Sequence, residues 1–381
     1  MNSTTTEGVV HETGQFDRST APYFPDIGHM AIGGILAVIF IVGTFSNGVA
    51  LLTFIKCKNL RTPTNTFIMS LLFGDFCMCS LPVPMVMAAS FQKYWTFGKI
   101  MCDLEAFLVY FLGLTNMYTL CAISLDRYIV IALPLHASKI TNRVAVISVL
   151  LCWIWGLFWA STPLLGWSYY HLEAAHTSCA IVWESDDPAI FSYNMTIFFV
   201  CYAFPVGVML FAYFNVYMTI KNVARNNVWD LTSRIARKNL AIEKKMFKTI
   251  LIMVGLFLLA WTPYAVVSFW ATVVGSGGIP ILIQTIPAIA AKSSSVANPF
   301  VYVATNKQFR KGFYSIIPCD SLRTQLEQTE EQKKEKSEDG EEKTVGQTQA
   351  VPITKVAPSP VDKDHDTQIE DMRASPVTQN E

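Results

Sequence analysis

Long apolar runs separated by short polar connectors set the plan of this chain. Windows of about 20 apolar residues, each able to cross a bilayer core of roughly 30 Å, recur near 29–55, 65–90, 101–132, 144–166, 192–220, 245–274 and 280–303. That repetition predicts an all-α membrane protein, a seven-transmembrane helix bundle. A short basic amphipathic helix is expected over 306–317. Three parts follow: a polar tail 1–28, a membrane domain 29–319, and a Gln/Glu/Lys-rich tail 320–381, nearly devoid of aromatics and expected to be disordered. Prolines interrupt the spans at Pro82, Pro84, Pro163, Pro205, Pro263, Pro287 and Pro299. Each removes an intrahelical hydrogen bond, so the pattern points to a bundle that binds something and moves rather than a rigid anchor.

Charge gives the direction of insertion. The 29 basic and 29 acidic residues cancel overall, but their placement is uneven. Lys56, Lys58 and Arg61 follow the first span, Lys139 and Arg143 the third, and a dense set from Lys221 to Lys248 the fifth, whereas Ser168 to Ser192 contains no lysine or arginine. By the positive-inside rule the N-terminus is extracellular, the C-terminus cytoplasmic, and the protein a multi-pass plasma-membrane one. The first 25 residues lack a basic start and apolar core, so no cleavable signal is expected. Asn2, in Asn2-Ser3-Thr4, becomes a glycosylation candidate, while Asn194-Met195-Thr196 sits at a span entrance and is not expected to be modified. Cys319, just past the amphipathic segment, is a palmitoylation candidate. Membrane lipid is the expected surrounding, and nothing points to nucleic acid.

Few polar residues interrupt the spans, and each needs a reason. A lysine at the bilayer centre costs roughly 2.5–3.5 kcal/mol on insertion scales, and Lys292 stands near the middle of the last span. Its amine, desolvated in an apolar pocket, becomes a nucleophile toward an aldehyde; the bland alternative is a salt bridge to an acid. Asp75 in span two is expected to pair with Asn47 and Asn298, as a site for water or sodium or as a structural hub. Cys102 and Cys179 both face the oxidising side and can form a disulfide that pins the long outer loop over the bundle mouth. At the opposite end Asp126-Arg127-Tyr128 closes span three, and Glu243 at the start of span six offers Arg127 a second partner, an arrangement able to latch two helices.

Asp126-Arg127-Tyr128, Ala260-Trp261-Thr262-Pro263-Tyr264 and Asn298-Pro299-Phe300-Val301-Tyr302, in that order with seven spans, the cysteine pair and Trp153, closely resemble the rhodopsin-like G-protein-coupled receptor family over about residues 28–319. Within it, Lys292, six residues before Asn298, is similar to the retinal-attachment lysine of opsins. The resemblance implies 11-cis retinal held covalently as a Schiff base on Lys292, a non-enzymatic light receptor, and two candidate counterions. Glu105, three residues after Cys102, resembles the vertebrate visual arrangement and is favoured because a helix fixes it; Glu173, six before Cys179, resembles that of many bistable opsins. It also implies a pocket lined by Gly113, Phe198, Tyr202, Trp261 and Tyr264, and a switch built from Asp126, Arg127, Tyr128, Glu243, Asn298, Pro299, Tyr302 and Asp75.

A basic rim of Arg225, Arg234, Arg237, Lys238, Lys244 and Lys245 lines the inner side, as the positive-inside rule alone would require. Asn306-Lys307-Gln308, followed by Phe309-Arg310, is similar to the corresponding stretch of opsins coupled to the Gi, Go and transducin group of heterotrimeric G proteins. Arrestin and a receptor kinase are further partners that the family implies. The sequence resembles both ciliary and Go/peropsin-like non-visual opsins. Two other functions share the fold: a retinal photoisomerase that signals little, and a receptor for a diffusible ligand.

Overall fold

A computed structural model describes residues 16–226 except Pro22, residues 234–316, and Thr324. The expected sites at Asn2 and Cys319 and nearly all of the expected tail 320–381 lie outside the described residues. The compact unit that holds the bundle closes at Arg323. Among the described residues, six helices are long and apolar enough to cross a membrane: α1 (Asp26–Lys56), α2 (Pro63–Gln92), α3 (Gly98–Ala132), α4 (Asn142–Leu165), α5 (Pro188–Val223) and α6, whose span is Ile242–Val274. The seventh, α7 (Ile281–Thr305), has the length but is less apolar than the seven-window pattern predicts. Its polar residues explain the shortfall, because Lys292, Ser295 and Asn298 are buried inside the bundle rather than turned to lipid. A short helix α8 (Lys307–Ile316) follows.

Local chemistry sets the helix starts. Thr62 and Thr141 each accept the backbone N–H three residues on at 3.3 Å, and Asp187 accepts that of Ala189 at 2.8 Å. Pro63 and Pro188 occupy first-turn positions that need no donor. Pro82 divides α2 at Leu81 into Pro63–Ser80 and Pro82–Gln92. Pro263 lies within the continuous α6, and Pro287 and Pro299 lie within α7. Two π-helical turns, Ile39–Gly43 in α1 and Phe199–Ala203 in α5, loosen the backbone further.

The central post is α3, with 61% of its apolar window buried against 22% for α6. It packs on α2, α4 and α5, while α6 packs on α7. One buried cluster, including Phe54, Leu71, Leu120, Ile250, Tyr302 and Phe309, fills the end of the bundle near Arg127. A second, with Trp95, Cys102, Tyr110, Trp159, Tyr170 and Tyr193, fills the other end. Outward-facing apolar residues such as Ile147, Leu150, Leu151 and Ile154 stay exposed, as lipid rather than water requires. This is a multi-pass membrane protein.

The connector read as a loop is built more firmly than its composition implies. Strands β1 (Tyr170–Leu172) and β2 (Cys179–Ile181) pair antiparallel, with Tyr170 opposite Ile181 and Leu172 opposite Cys179. The Cys102–Cys179 disulfide joins this hairpin to α3. Tyr170 Oη donates to Ala160 O at 2.7 Å, and Trp95 N to His176 O at 2.8 Å.

Candidate ligand site and helix latch

The disulfide places the hairpin across α3, and the backbone N–H of Cys179 donates to Glu105 Oε2 at 3.0 Å. The other oxygen, Oε1, makes no hydrogen bond and faces Lys292 Nζ at 3.6 Å. Lys292 is 4% exposed and Glu105 0%. An ion pair this deep is weak evidence of stability, since desolvating two charges offsets their attraction. Its value is chemical: it keeps an amine and a carboxylate together in a dry interior.

Glu173 is held elsewhere. It accepts from Tyr264 Oη at 3.3 Å and from Ser178 Oγ, and its backbone N–H donates to Ser178 O. Tyr264 also meets the hydroxyl of Tyr110 at 3.3 Å. The helix-borne acid thus faces the lysine directly, while the loop-borne one sits at the end of a tyrosine chain.

Next to this pair lies a cavity of about 80 Å³ between α3, α5 and α6. All five expected lining residues, Gly113, Phe198, Tyr202, Trp261 and Tyr264, are among its walls. Lys292 and Glu105 are not. They adjoin it through Tyr110, farther along α3 from Glu105, and through Trp261, whose Nε1 donates to Ser294 Oγ at 3.1 Å, two residues after Lys292. Gly113 is required by packing, because a Cβ there would come within 2.6 Å of the Trp261 ring. Phe198 packs against Phe269 with centroids 4.3 Å apart and the rings tilted by 35°. Asn194 is buried, and its amide donates to Val182 O at 2.9 Å and Trp183 O at 3.2 Å, so it is not available as a glycan acceptor.

His176, in the hairpin turn, has φ of 51° and packs near Tyr94. Burial, and secondarily His171, pushes its imidazole down to about 4 from the usual 6.5. The unfolded chain takes up this proton below pH 6.5, whereas the folded one resists it until about pH 4. The neutral histidine therefore contributes stability above pH 6.5 that is lost as pH falls toward 4, about 3 kcal/mol in all. Thermal melts at pH 7.5 and 5 are expected to show this loss, and His176→Asn, which tolerates the positive φ, to flatten it.

At the opposite end Arg127, 4% exposed, holds three partners. Its Nε and Nη2 donate to Asp126 Oδ2 at 3.0 and 2.7 Å, Nη2 also reaches Thr64 Oγ1, and Nη1 donates to Glu243 Oε2 at 2.5 Å. Thr64 donates in turn to Asp126 at 2.9 Å, a participant the sequence motifs do not announce. Tyr128 lies edge-on to Phe211 of α5.

Midway along the bundle the expected polar hub is differently composed. Asp75 accepts from Asn298 at 2.6 Å and from Asn116 at 2.8 Å. Asn47, the expected partner, instead donates to Gly43 O and Ser295 O, both at 2.9 Å. Gly43 O lies one turn back on the same helix, within reach of the short amide, and Ser295 O takes its other proton across to α7. Pro299 lies inside α7, and Tyr302 Oη donates to Asn65 Oδ1 at 2.6 Å. Asn306 caps α8 by accepting from Phe309 N and donating to Tyr302 Oη. Lys307 is exposed, and the side chains of Gln308, Arg225, Arg234, Arg237 and Lys238 lie outside the described residues.

Residues 46–302 match the model of the 7 transmembrane receptor (rhodopsin family). The chain belongs to that family. Among curated relatives it is 36% identical over 308 residues to melanopsin of Branchiostoma belcheri, covering 77% of this chain and 43% of that protein. It is 35% identical over 302 residues to the visual pigment-like receptor peropsin of Mus musculus, covering 79% of this chain and 88% of that protein. The chain thus spans less than half of the melanopsin but most of the peropsin. The crystal structure of squid rhodopsin superposes with a TM-score of 0.73 at 29% identity, covering 84% of this chain and 91% of that one. The bundle is an opsin-type receptor, related to peropsins, melanopsins and rhodopsins.

Proposed function

We propose that this receptor senses light through 11-cis retinal bound covalently to Lys292 and activates an inhibitory-type G protein of the Gi, Go or transducin group. The observation that carries the reading is the buried Lys292–Glu105 pair beside an aromatic-walled cavity. A desolvated amine, a fixed carboxylate and an apolar cleft suit a long conjugated aldehyde. Retinal, when bound, would supply visible-light absorption and a light-driven change of shape.

The chain's residues do the rest. Glu105, fixed by the Cys179 N–H, supplies negative charge next to the Lys292 nitrogen, and Glu173 stands behind it as a reserve. Trp261 is the transmitter, because it touches the cavity, Gly113 and α7 at once. Pro263, two residues on, leaves α6 short of a backbone bond and able to swing there. With the basic connectors facing the cytoplasm, that swing separates Glu243 from Arg127 and exposes a cleft for the G protein. The choice of G-protein group rests on the resemblance of Asn306-Lys307-Gln308.

Because Glu243 is partly exposed, its bond to Arg127 is expected to hold the closed state by about 1–2 kcal/mol, roughly a 5- to 30-fold bias. Glu243→Gln should raise dark nucleotide exchange by a factor in that range, measured on purified inhibitory G protein. Unchanged dark exchange, with normal light activation, would remove the latch from the account.

A further inference from the structure

The outer end of α6 is tied to the disulfide-held hairpin by a contact that none of the sequence motifs contains. Glu184, three residues past β2, accepts from the backbone N–H of Ser276 at 2.7 Å and from the hydroxyl of the same residue. Ser276 stands two residues after α6 ends at Val274. Between them Gly275 has φ of 96° and donates its N–H to Ala271 O at 3.1 Å, so Ser276 directly extends the helix. Both bonds to Glu184 end on a carboxylate, and bonds to a charged acceptor are roughly twice as strong as neutral ones. No lysine or arginine between Ser168 and Ser192 competes for that acid.

The hairpin side of the contact is fixed in turn. Cys179 is bonded to Cys102 of α3 and gives its N–H to Glu105, while Asn194 of α5 holds the carbonyls of Val182 and Trp183. The segment from Cys179 to Glu184 therefore connects the central post α3, past α5, to the end of α6. Among the described residues, the other side-chain bonds from this arm of α6 to neighbouring elements are longer. Tyr264 meets Tyr110 and Glu173 at 3.3 Å, and Thr272 lies 3.4 Å from Asn194.

Pro263 makes α6 a lever. At helical rise its outer arm to Val274 is roughly 16 Å long and its inner arm to Glu243 roughly 30 Å. With the outer end free, a push on Trp261 tips the whole helix; with that end held, the push moves the inner arm. Resting on the light-receptor reading above, we propose that Glu184 is a positioning residue for activation. Through Ser276 it fixes the outer end of α6, so that movement begun at Trp261 is expressed at Arg127 and Glu243. Glu184 lines neither the ligand cavity nor the latch and acts through α6 alone.

The test follows both ends of α6 in the full-length regenerated receptor. Spin labels introduced as non-canonical amino acids at Ile100 and Val274 report the outer end, and labels at Arg143 and Lys248 the inner end; all four side chains are exposed. In the wild type, illumination is expected to lengthen the inner distance and leave the outer one unchanged. In Glu184→Ala the outer distance should change with light and the inner lengthening should shrink. Light-driven nucleotide exchange per pigment should fall by at least about fivefold, a coupling of ordinary size. The absorption band and the dark exchange rate should stay as in the wild type. Glu184→Gln should recover the wild-type behaviour, because the amide oxygen still accepts from Ser276. Exchange is counted per pigment, so a low yield of folded protein does not imitate the loss. Wild-type exchange in Glu184→Ala with an unmoved outer pair overturns the proposal. A rise in its dark exchange also overturns it, because Glu184 would then hold the closed state rather than anchor the lever. Absence of pigment, or of light-driven exchange, in the wild type overturns instead the reading on which the proposal rests.

Discussion

Lys292→Ala is expected to abolish pigment formation completely, leaving only the protein absorption band after incubation with 11-cis retinal. The amine is the one nucleophile that α7 presents to the buried carboxylate of Glu105, at 3.6 Å, and no neighbouring lysine shares its place on the helix. Removing it also strands Glu105 as an unpaired buried acid, which costs about 3–5 kcal/mol and could lower the yield for a trivial reason. The double substitution Lys292→Ala with Glu105→Gln removes both charges and restores a neutral interior. It should fold as well as the wild type, by thermal melting, and still form no pigment. A visible band in the double variant would detach the ligand from Lys292.

Glu105→Gln should move the absorption band from the visible to the ultraviolet. Glutamine keeps the shape of the side chain and an oxygen for the Cys179 N–H, so the loop stays in place and only the charge is lost. A buried cation deprived of its partner is destabilised by about 3–5 kcal/mol, a shift of roughly 10²- to 10⁴-fold toward the uncharged form. Glu173→Gln should act far more weakly, because Glu173 is engaged with Tyr264 and Ser178. A visible band that survives Glu105→Gln and is lost in Glu173→Gln would exchange the roles of the two acids.

What the sequence made legible follows from how membranes restrict folding. Backbone groups must be satisfied within each span, so apolar length alone announces α1 to α6. Isolated polar residues inside those spans are costly enough to mark themselves, which is why Lys292 and Asp75 are legible from the sequence, whereas Arg127 is marked by its neighbour Asp126 and Glu105 by its resemblance to an opsin counterion. The partners of these residues were less legible. Asn116 and Thr64 carry no cost signal of their own, being small and able to bond within a helix, yet they complete the Asp75 hub and the Arg127 cluster. Asn47 misled because a short amide can bond the carbonyl four residues back, as it does at Gly43, and a backbone carbonyl of a facing helix, as at Ser295, choices the sequence does not mark. Asn194 reads as a glycosylation motif in sequence and as a buried wall of the cavity in space. The hairpin over the mouth was hidden for a similar reason: its strands are three residues each and too short for alternation to register.

The central claim is that light on a Lys292-bound ligand drives G-protein activation. It is tested most directly by nucleotide exchange on purified inhibitory-type G protein, with the regenerated receptor in membranes, measured in the dark and after illumination. The account predicts exchange that rises at least tenfold with light in the wild type and stays at the dark rate in Lys292→Ala. A pigment that forms and bleaches or isomerises, yet leaves exchange at the dark rate, would contradict it and make the protein a photoisomerase with a receptor's fold.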